Sequence, residues 1–209
     1  MTNKIFLNIL PENQRVIYEK LADSEFINKY YLAGGTSLAL QIGHRISIDF
    51  DFFSQKDIDL YELKNDIVQI GKIEIFQEKK NTLHCSIDGI KISFISYKYK
   101  MIESLRFHKN IAFASMFDIA CMKLSAISSR GCKKDFIDLY YLLKSISLEK
   151  IIGLFKKKFG GAAVNEYQLK KSLIYFEDAE NEPMPKMKKN ISWDKIKDRL
   201  IAEVKRNSI

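Results

Sequence analysis

The sequence predicts an α+β fold, a mixed sheet with flanking helices followed by a helical C-terminal part, on three observations. Residues 46–53, Ile-Ser-Ile-Asp-Phe-Asp-Phe-Phe, alternate apolar and polar as a half-buried strand does. Leu83–Ile87 and Ile90–Tyr97 flank Asp88-Gly89, a dipeptide that supplies the positive φ angles of a two-residue reversal. After about residue 110 the strand signal stops and apolar residues recur at helical spacing. The boundary falls near residues 105–113, giving a core domain of residues 1–110 and a helical domain of residues 111–209.

The elements follow in order. Pro11 to about Lys29 reads as a helix, with Val16, Ile17 and Leu21 at helical spacing and proline suited to the first turn. A short strand, Tyr30–Ala33, leads into Gly34-Gly35. Thr36 or Ser37 caps the next helix and Gly43 ends it. In strand 46–53, Ile46, Ile48, Phe50 and Phe52 point to the core, while Ser47, Asp49 and Asp51 share the other face. A helix over 57–70 and a strand over 72–78 precede the hairpin. Beyond the boundary, helices cover 115–129, 134–146, 148–158, 165–176 and 192–206. Ser147 and Ser192 serve as N-caps, and 178–190, with Pro183 and Pro185, connects them.

Composition narrows the function classes. Of 209 residues 46% are hydrophobic, with 14 Phe and 10 Tyr, enough for a packed core rather than a disordered chain. Cys85, Cys121 and Cys132 are odd in number and lack Cys-x-x-Cys spacing, which argues against zinc or a disulfide framework and for a reducing compartment. The apolar part of Met1–Pro11 is too short for a signal peptide, and no stretch reaches the ~18–20 apolar residues of a membrane span. A cytoplasmic protein without membrane association is expected. The net charge of +8 is uneven: residues 150–209 hold 14 Lys/Arg against 8 Asp/Glu, and residues 1–149 hold 20 against 18. A basic C-terminal part favours polyanionic partners such as RNA, although the same charge also aids solubility.

Two constellations carry chemistry. Glycines at 34 and 35 let backbone N–H groups approach an anion at a helix N-terminus. Asp49 and Asp51, about 6–7 Å apart at their Cα atoms, suit one or two hard divalent cations. Either motif alone is commonplace, a turn or a surface acid pair. Together they describe a phosphate cradle beside a cation site, the layout of a nucleotidyl-transfer centre. The second constellation sets Lys123 and Arg130, seven apart on one helix face, against Asp135 and Asp138, three apart on the next helix. It reads either as an ordinary ion-pair network or as a cationic clamp on a triphosphate. His44, His84 and His108 show no metal-ligand spacing and read as structural.

Five stretches in order match a known family: Leu32-Ala-Gly-Gly-Thr-Ser-Leu-Ala-Leu; His44-Arg45-Ile-Ser-Ile-Asp49-Phe-Asp51-Phe-Phe; Asp118-Ile-Ala-Cys-Met-Lys123-Leu-Ser-Ala-Ile with Arg130-Gly; Lys134-Asp135-Phe-Ile-Asp138-Leu-Tyr; and Leu173-Ile-Tyr-Phe-Glu-Asp-Ala-Glu before Pro183 and Pro185. Across residues 30–200 the chain resembles nucleotidyl transferase toxins of the AbiEii/AbiGii type, within the DNA polymerase beta-like nucleotidyltransferase superfamily. The resemblance implies a nucleotidyltransferase fold and the toxin half of a bacterial toxin–antitoxin or abortive-infection system, with an antitoxin from a neighbouring gene. It implies an NTP-dependent enzyme that transfers a nucleoside monophosphate to an RNA acceptor, in some relatives the 3′ end of tRNA. By the same resemblance Gly34, Gly35, Thr36 and Ser37 hold the triphosphate, and Asp49 and Asp51 bind Mg²⁺. Lys123 steadies phosphates, Asp135 or Asp138 acts as a base or completes the acidic cluster, and Arg45, Arg130 and Lys134 are further anion contacts. One departure stands out: the superfamily usually offers a third carboxylate on a neighbouring strand, and Ser93 occupies that face here. A protein-modifying nucleotidyltransferase and a catalytically degenerate nucleotide-binding module are the alternatives.

Overall fold

Asp88 and Gly89 take φ of 48° and 79°, the double reversal their dipeptide predicts. The strands they join pair from Ile87 with Ile90 to Thr82 with Ile95. The computed structural model describes residues 5–160 and 164–207, and among these the hairpin lies within a seven-stranded mixed sheet. Its strands are β1 (Tyr31–Ala33), β2 (Phe50–Ser54), β3 (Ile73–Lys79), β4 (Thr82–Ile87), β5 (Ile90–Ser96), β6 (Arg106–His108) and β7 (Ile111–Phe113). Their spatial order is β3-β4-β5-β2-β1-β7-β6. β2 runs antiparallel to β1 and parallel to β5, and β1 runs parallel to β7.

Helices α1 (Glu12–Asp23), α2 (Gly34–Ile42) and α3 (Leu60–Val68) complete this first unit, which runs to Lys100 and resumes over Ser104–Ser115. Ile17, Tyr18 and Leu21 of α1 are buried with Leu32, Phe50, Phe52, Leu83 and Phe94 of the sheet. Phe52 and Phe94 stack with centroids 5.5 Å apart. Because side chains alternate along a strand, burying Phe50 and Phe52 turns Asp51 and Phe53 to the opposite face.

Several expectations are corrected here. The strand begins at Phe50 rather than Ile46, and Ile48 is 49% exposed instead of core. The cause is local: the Thr36 hydroxyl takes the Asp49 carbonyl and lies 2.8 Å from Ser47 Oγ, tying this segment to α2 rather than to a ladder. Thr36 and Ser37 sit inside α2, which starts at Gly34, and neither caps it. Gly43 does end that helix, at φ 66°. The helix at 11–29 stops at Asp23, with a separate 3₁₀ turn over Phe26–Lys29, and Val16 is exposed. Strand signal also persists past residue 110, in the β6–β7 hairpin.

The second unit comprises Met101–Glu103 and the chain from Met116 onward. It contains α4 (Met116–Ser129), α5 (Lys133–Leu142), α6 (Leu148–Phe159), α7 (Glu166–Ser172), α8 (Glu177–Glu180) and α9 (Trp193–Arg206). Ser147 and Ser192 cap α6 and α9 by accepting from the amides of Lys150 and Lys195. Fully buried Lys158 donates to Asp118 Oδ1 at 2.8 Å. The same carboxylate accepts from the amides of Ile102 (2.9 Å) and Glu103 (3.4 Å), so residues 101–103 are strapped to α4. Buried Lys133 donates to the Glu180 carbonyl and lies 5.1 Å over the Trp193 ring, fixing the connector ahead of α9. No helix among the described residues is long and apolar enough to cross a membrane. The first four residues of the N-terminal segment lie outside the described residues.

Candidate active site

Gly34 is where the first unit's site is set. Ala33 pairs with Asp51 across β1 and β2, so the residue that follows Ala33 reaches the carboxylate directly. Gly34 takes φ 69°, and a Cβ placed there would lie 3.0 Å from Asp51 Oδ2. Only glycine combines that backbone angle with that approach. The turn opens straight into the nine residues of α2, whose first amides have no intrahelical partner and carry the positive end of the helix dipole. Backbone donors and a carboxylate therefore stand side by side. Asp49 and Asp51 are both half-buried.

The buried Thr36 side chain serves this arrangement from beneath. Its hydroxyl holds the Asp49 carbonyl, so the turn and the segment carrying the first acid are one hydrogen-bonded piece. Ser37 is buried and receives the Gln41 amide at 3.2 Å. Gly35 lies in the first turn of α2. Buried Arg45 donates from Nη1 to the Ile46 carbonyl at 3.1 Å, bracing the irregular segment before β2.

Ser93 is the register partner of Asp51 on β5, the position where a third acid was sought. Its Oγ is hydrogen-bonded to His84 Nδ1 at 2.9 Å. A hydroxyl–imidazole pair therefore occupies the place. The hairpin's own turn places this structural histidine: with Ile87 opposite Ile90, His84 must face Ser93. The two carboxylates fit a hard cation, since Mg²⁺ is commonly held by one or two carboxylates with water and phosphate oxygens completing the octahedron. Among the described residues no cluster of three or more His, Cys, Asp or Glu side chains forms.

In the second unit the structure brings Lys123, Arg130, Asp135 and Asp138 together. Lys123 Nζ lies 2.8 Å from Asp135 Oδ1 and 2.6 Å from Asp138 Oδ2, all three side chains being buried. Arg130, 58% exposed at its side chain, adds Nε to Asp135 Oδ2 at 3.0 Å. Burial alone pushes the Asp135 carboxyl up, but Lys123 and Arg130 outweigh it and hold it below the ordinary carboxylate value. Two cations thus face two anions, which satisfies the burial of each. Lys134 stays outside this network and is exposed. The Asp118–Lys158 pair, equally buried, was not singled out from sequence.

The profile of the nucleotidyl transferase AbiEii toxin family (type IV toxin–antitoxin system) matches residues 15–107. An uncharacterized protein of Aquifex aeolicus is 38% identical over 179 residues, covering 83% of this chain and 86% of its own. The crystal structure of JHP933 from Helicobacter pylori superposes with a TM-score of 0.56 at 17% identity, covering 94% of this chain and 92% of that one. MenT4, a nucleotidyltransferase toxin of Mycobacterium tuberculosis, gives 0.54 at 11% identity, covering 93% and 86%. At such identities these two structures establish a shared fold.

Proposed function

We propose, from the match of residues 15–107 to the profile of the AbiEii nucleotidyl transferase toxins, that the chain transfers a nucleoside monophosphate from an NTP to a hydroxyl of an RNA acceptor, such as a tRNA 3′ end. The observation that supports this most is the close approach of Gly34 to the Asp51 carboxylate at the start of α2. The acceptor oxygen attacks the α-phosphorus, its proton passing to a neighbouring carboxylate. The bond to the β-phosphate bridging oxygen breaks, and pyrophosphate leaves with the electron pair. In this reading the amides of Gly34, Gly35 and Thr36 hold phosphate oxygens, and Asp49 and Asp51 hold Mg²⁺. When bound, the ion neutralises charge developing on the phosphates. Arg45 is a supporting cation of this first-unit site, and in the second unit Lys123, oriented by Asp135 and Asp138, is proposed with Arg130 and Lys134 as that unit's own set of phosphate contacts. The basic residues 150–209 favour RNA over a protein acceptor.

As a toxin of a type IV system, the chain is expected to act in the cytoplasm opposite an antitoxin encoded beside it. Ser93 at the third-acid position favours one alternative, a nucleotide-binding module without turnover. Incubation with each α-labelled NTP, Mg²⁺ and total RNA separates the readings. Label that ribonuclease removes, and that Asp49→Ala and Asp51→Ala abolish, supports RNA transfer. Label removed by protease instead points to a protein hydroxyl. NTP binding by calorimetry without any labelling points to the silent module.

A further inference from the structure

Beyond Asp51 on the same sheet face, aromatic rings follow one another from the core to solvent. Phe53, two residues along β2, stacks on Tyr31 with centroids 5.9 Å apart. It meets Tyr97 edge-on at 5.6 Å, and Tyr97 packs against Tyr99 at 4.9 Å. Tyr31 and Phe53 are buried, Tyr97 is half-buried and Tyr99 is 45% exposed. The outer rings alternate with Lys98 and Lys100.

Backbone contacts gather more charge at this end of the sheet. The Tyr97 amide donates to the Ser54 carbonyl at 2.7 Å and the Ser96 amide to the Asn81 carbonyl at 2.9 Å. Gln55 Nε2 donates to the Tyr99 carbonyl at 3.2 Å. Segments 54–57, 79–81 and 96–100 therefore meet, and they carry Lys56, Lys79, Lys80, Lys98 and Lys100 with one acid, Asp57, which pairs with Lys98 at 2.6 Å. Base faces stack on exposed rings and phosphates on surrounding ammonium groups, the combination that holds single-stranded nucleic acid. A duplex hides its base faces, and a run of acidic side chains offers no aromatic faces to stack on the rings.

We propose that Tyr97 and Tyr99, with the lysines around them, form a stacking platform for a single-stranded RNA segment that leads to Asp51. The proposal rests on the transfer reading only for the direction of the strand, so it is tested without NTP or divalent cation. Fluorescence anisotropy of a labelled single-stranded RNA decamer should show Tyr99→Ala weakening binding about tenfold and Tyr99→Trp retaining it. Tyr97→Ala combined with Tyr99→Ala should weaken it further, and Lys98→Ala with Lys100→Ala should reduce the salt dependence. Equal affinity for wild type and Tyr99→Ala would overturn it. So would the same tyrosine dependence for a duplex of that length, or displacement of the decamer by poly-glutamate at equal concentration. Tyr99 is exposed, which keeps the single variant folded. Tyrosine-dependent binding alongside failed transfer would sink the reaction reading and leave the platform standing.

Discussion

Replacing Gly34 by alanine imposes two separable costs. An L-residue in the left-handed region loses about 1–2 kcal/mol, which for a chain of this size lowers the melting temperature by roughly 2–8 °C. The second cost falls on function. The new Cβ would lie 3.0 Å from Asp51 Oδ2, where ordinary contact begins at 3.4 Å, so the oxygen must retreat by the difference, about 0.4 Å. Mg²⁺ requires near-ideal octahedral geometry at about 2.0–2.1 Å and tolerates about 0.2 Å. Half-saturating Mg²⁺ for transfer, or for NTP binding by calorimetry, should therefore rise about tenfold, with excess Mg²⁺ restoring part of the loss. Gly89→Ala isolates the backbone cost, since Gly89 also has positive φ (79°) but no atom within 4 Å of its Cβ position. That variant should melt earlier with its Mg²⁺ requirement unchanged. If Gly34→Ala leaves the requirement unchanged, or both variants raise it equally, the coupling between the turn and the carboxylate does not exist.

Three further perturbations test other parts of the structure. Lys123→Met takes the ammonium from two buried carboxylates and should cost about 3–5 kcal/mol, read as a lower urea midpoint with an unchanged slope. The Asp135 carboxyl is depressed in the folded chain, so the unfolded chain binds the proton more tightly. Its stabilisation is complete above the unfolded value of about 4 and is lost as pH falls through the folded value. Urea titrations between pH 7 and 2 should show this loss, with a smaller pH slope in Lys123→Met. Thr36→Val leaves the Asp49 carbonyl without its donor and should destabilise by about 1–3 kcal/mol. Thr36→Ser should retain both stability and transfer, and a Val variant as stable as wild type would refute the bracing role.

The turn at Gly34 and its nearness to Asp51 were more legible than the sheet that carries them. Glycine before an apolar helix and paired acids in a Phe-rich run are local signals, and the structure joins Gly34 to Asp51 across one strand pair. The alternation rule failed over residues 46–49 because it presumes a ladder, whereas Thr36 captures the Asp49 carbonyl from another element. The β6–β7 hairpin was hidden because its strands hold three residues each and its turn puts Lys109, not glycine, at positive φ. Helical spacing placed Lys123 and Arg130 on one face. It did not reveal that two acids would occupy the ammonium, since that depends on how α5 packs on α4.

The Asp118 strap bears on how this protein is cut. The backbone passes from the first unit to the second at residue 101, returns at 104 for β6 and β7, and departs again at 116. A fragment beginning at Met116 retains Asp118 and Lys158 but forfeits the two amides of Ile102 and Glu103 that share the carboxylate. One ending at Lys100 discards β7, the parallel neighbour of the strand that delivers Gly34. No single scission yields two self-sufficient halves, so dissection requires joining Lys100 to Ser104 in one piece and Glu103 to Met116 in the other, or keeping the polypeptide whole.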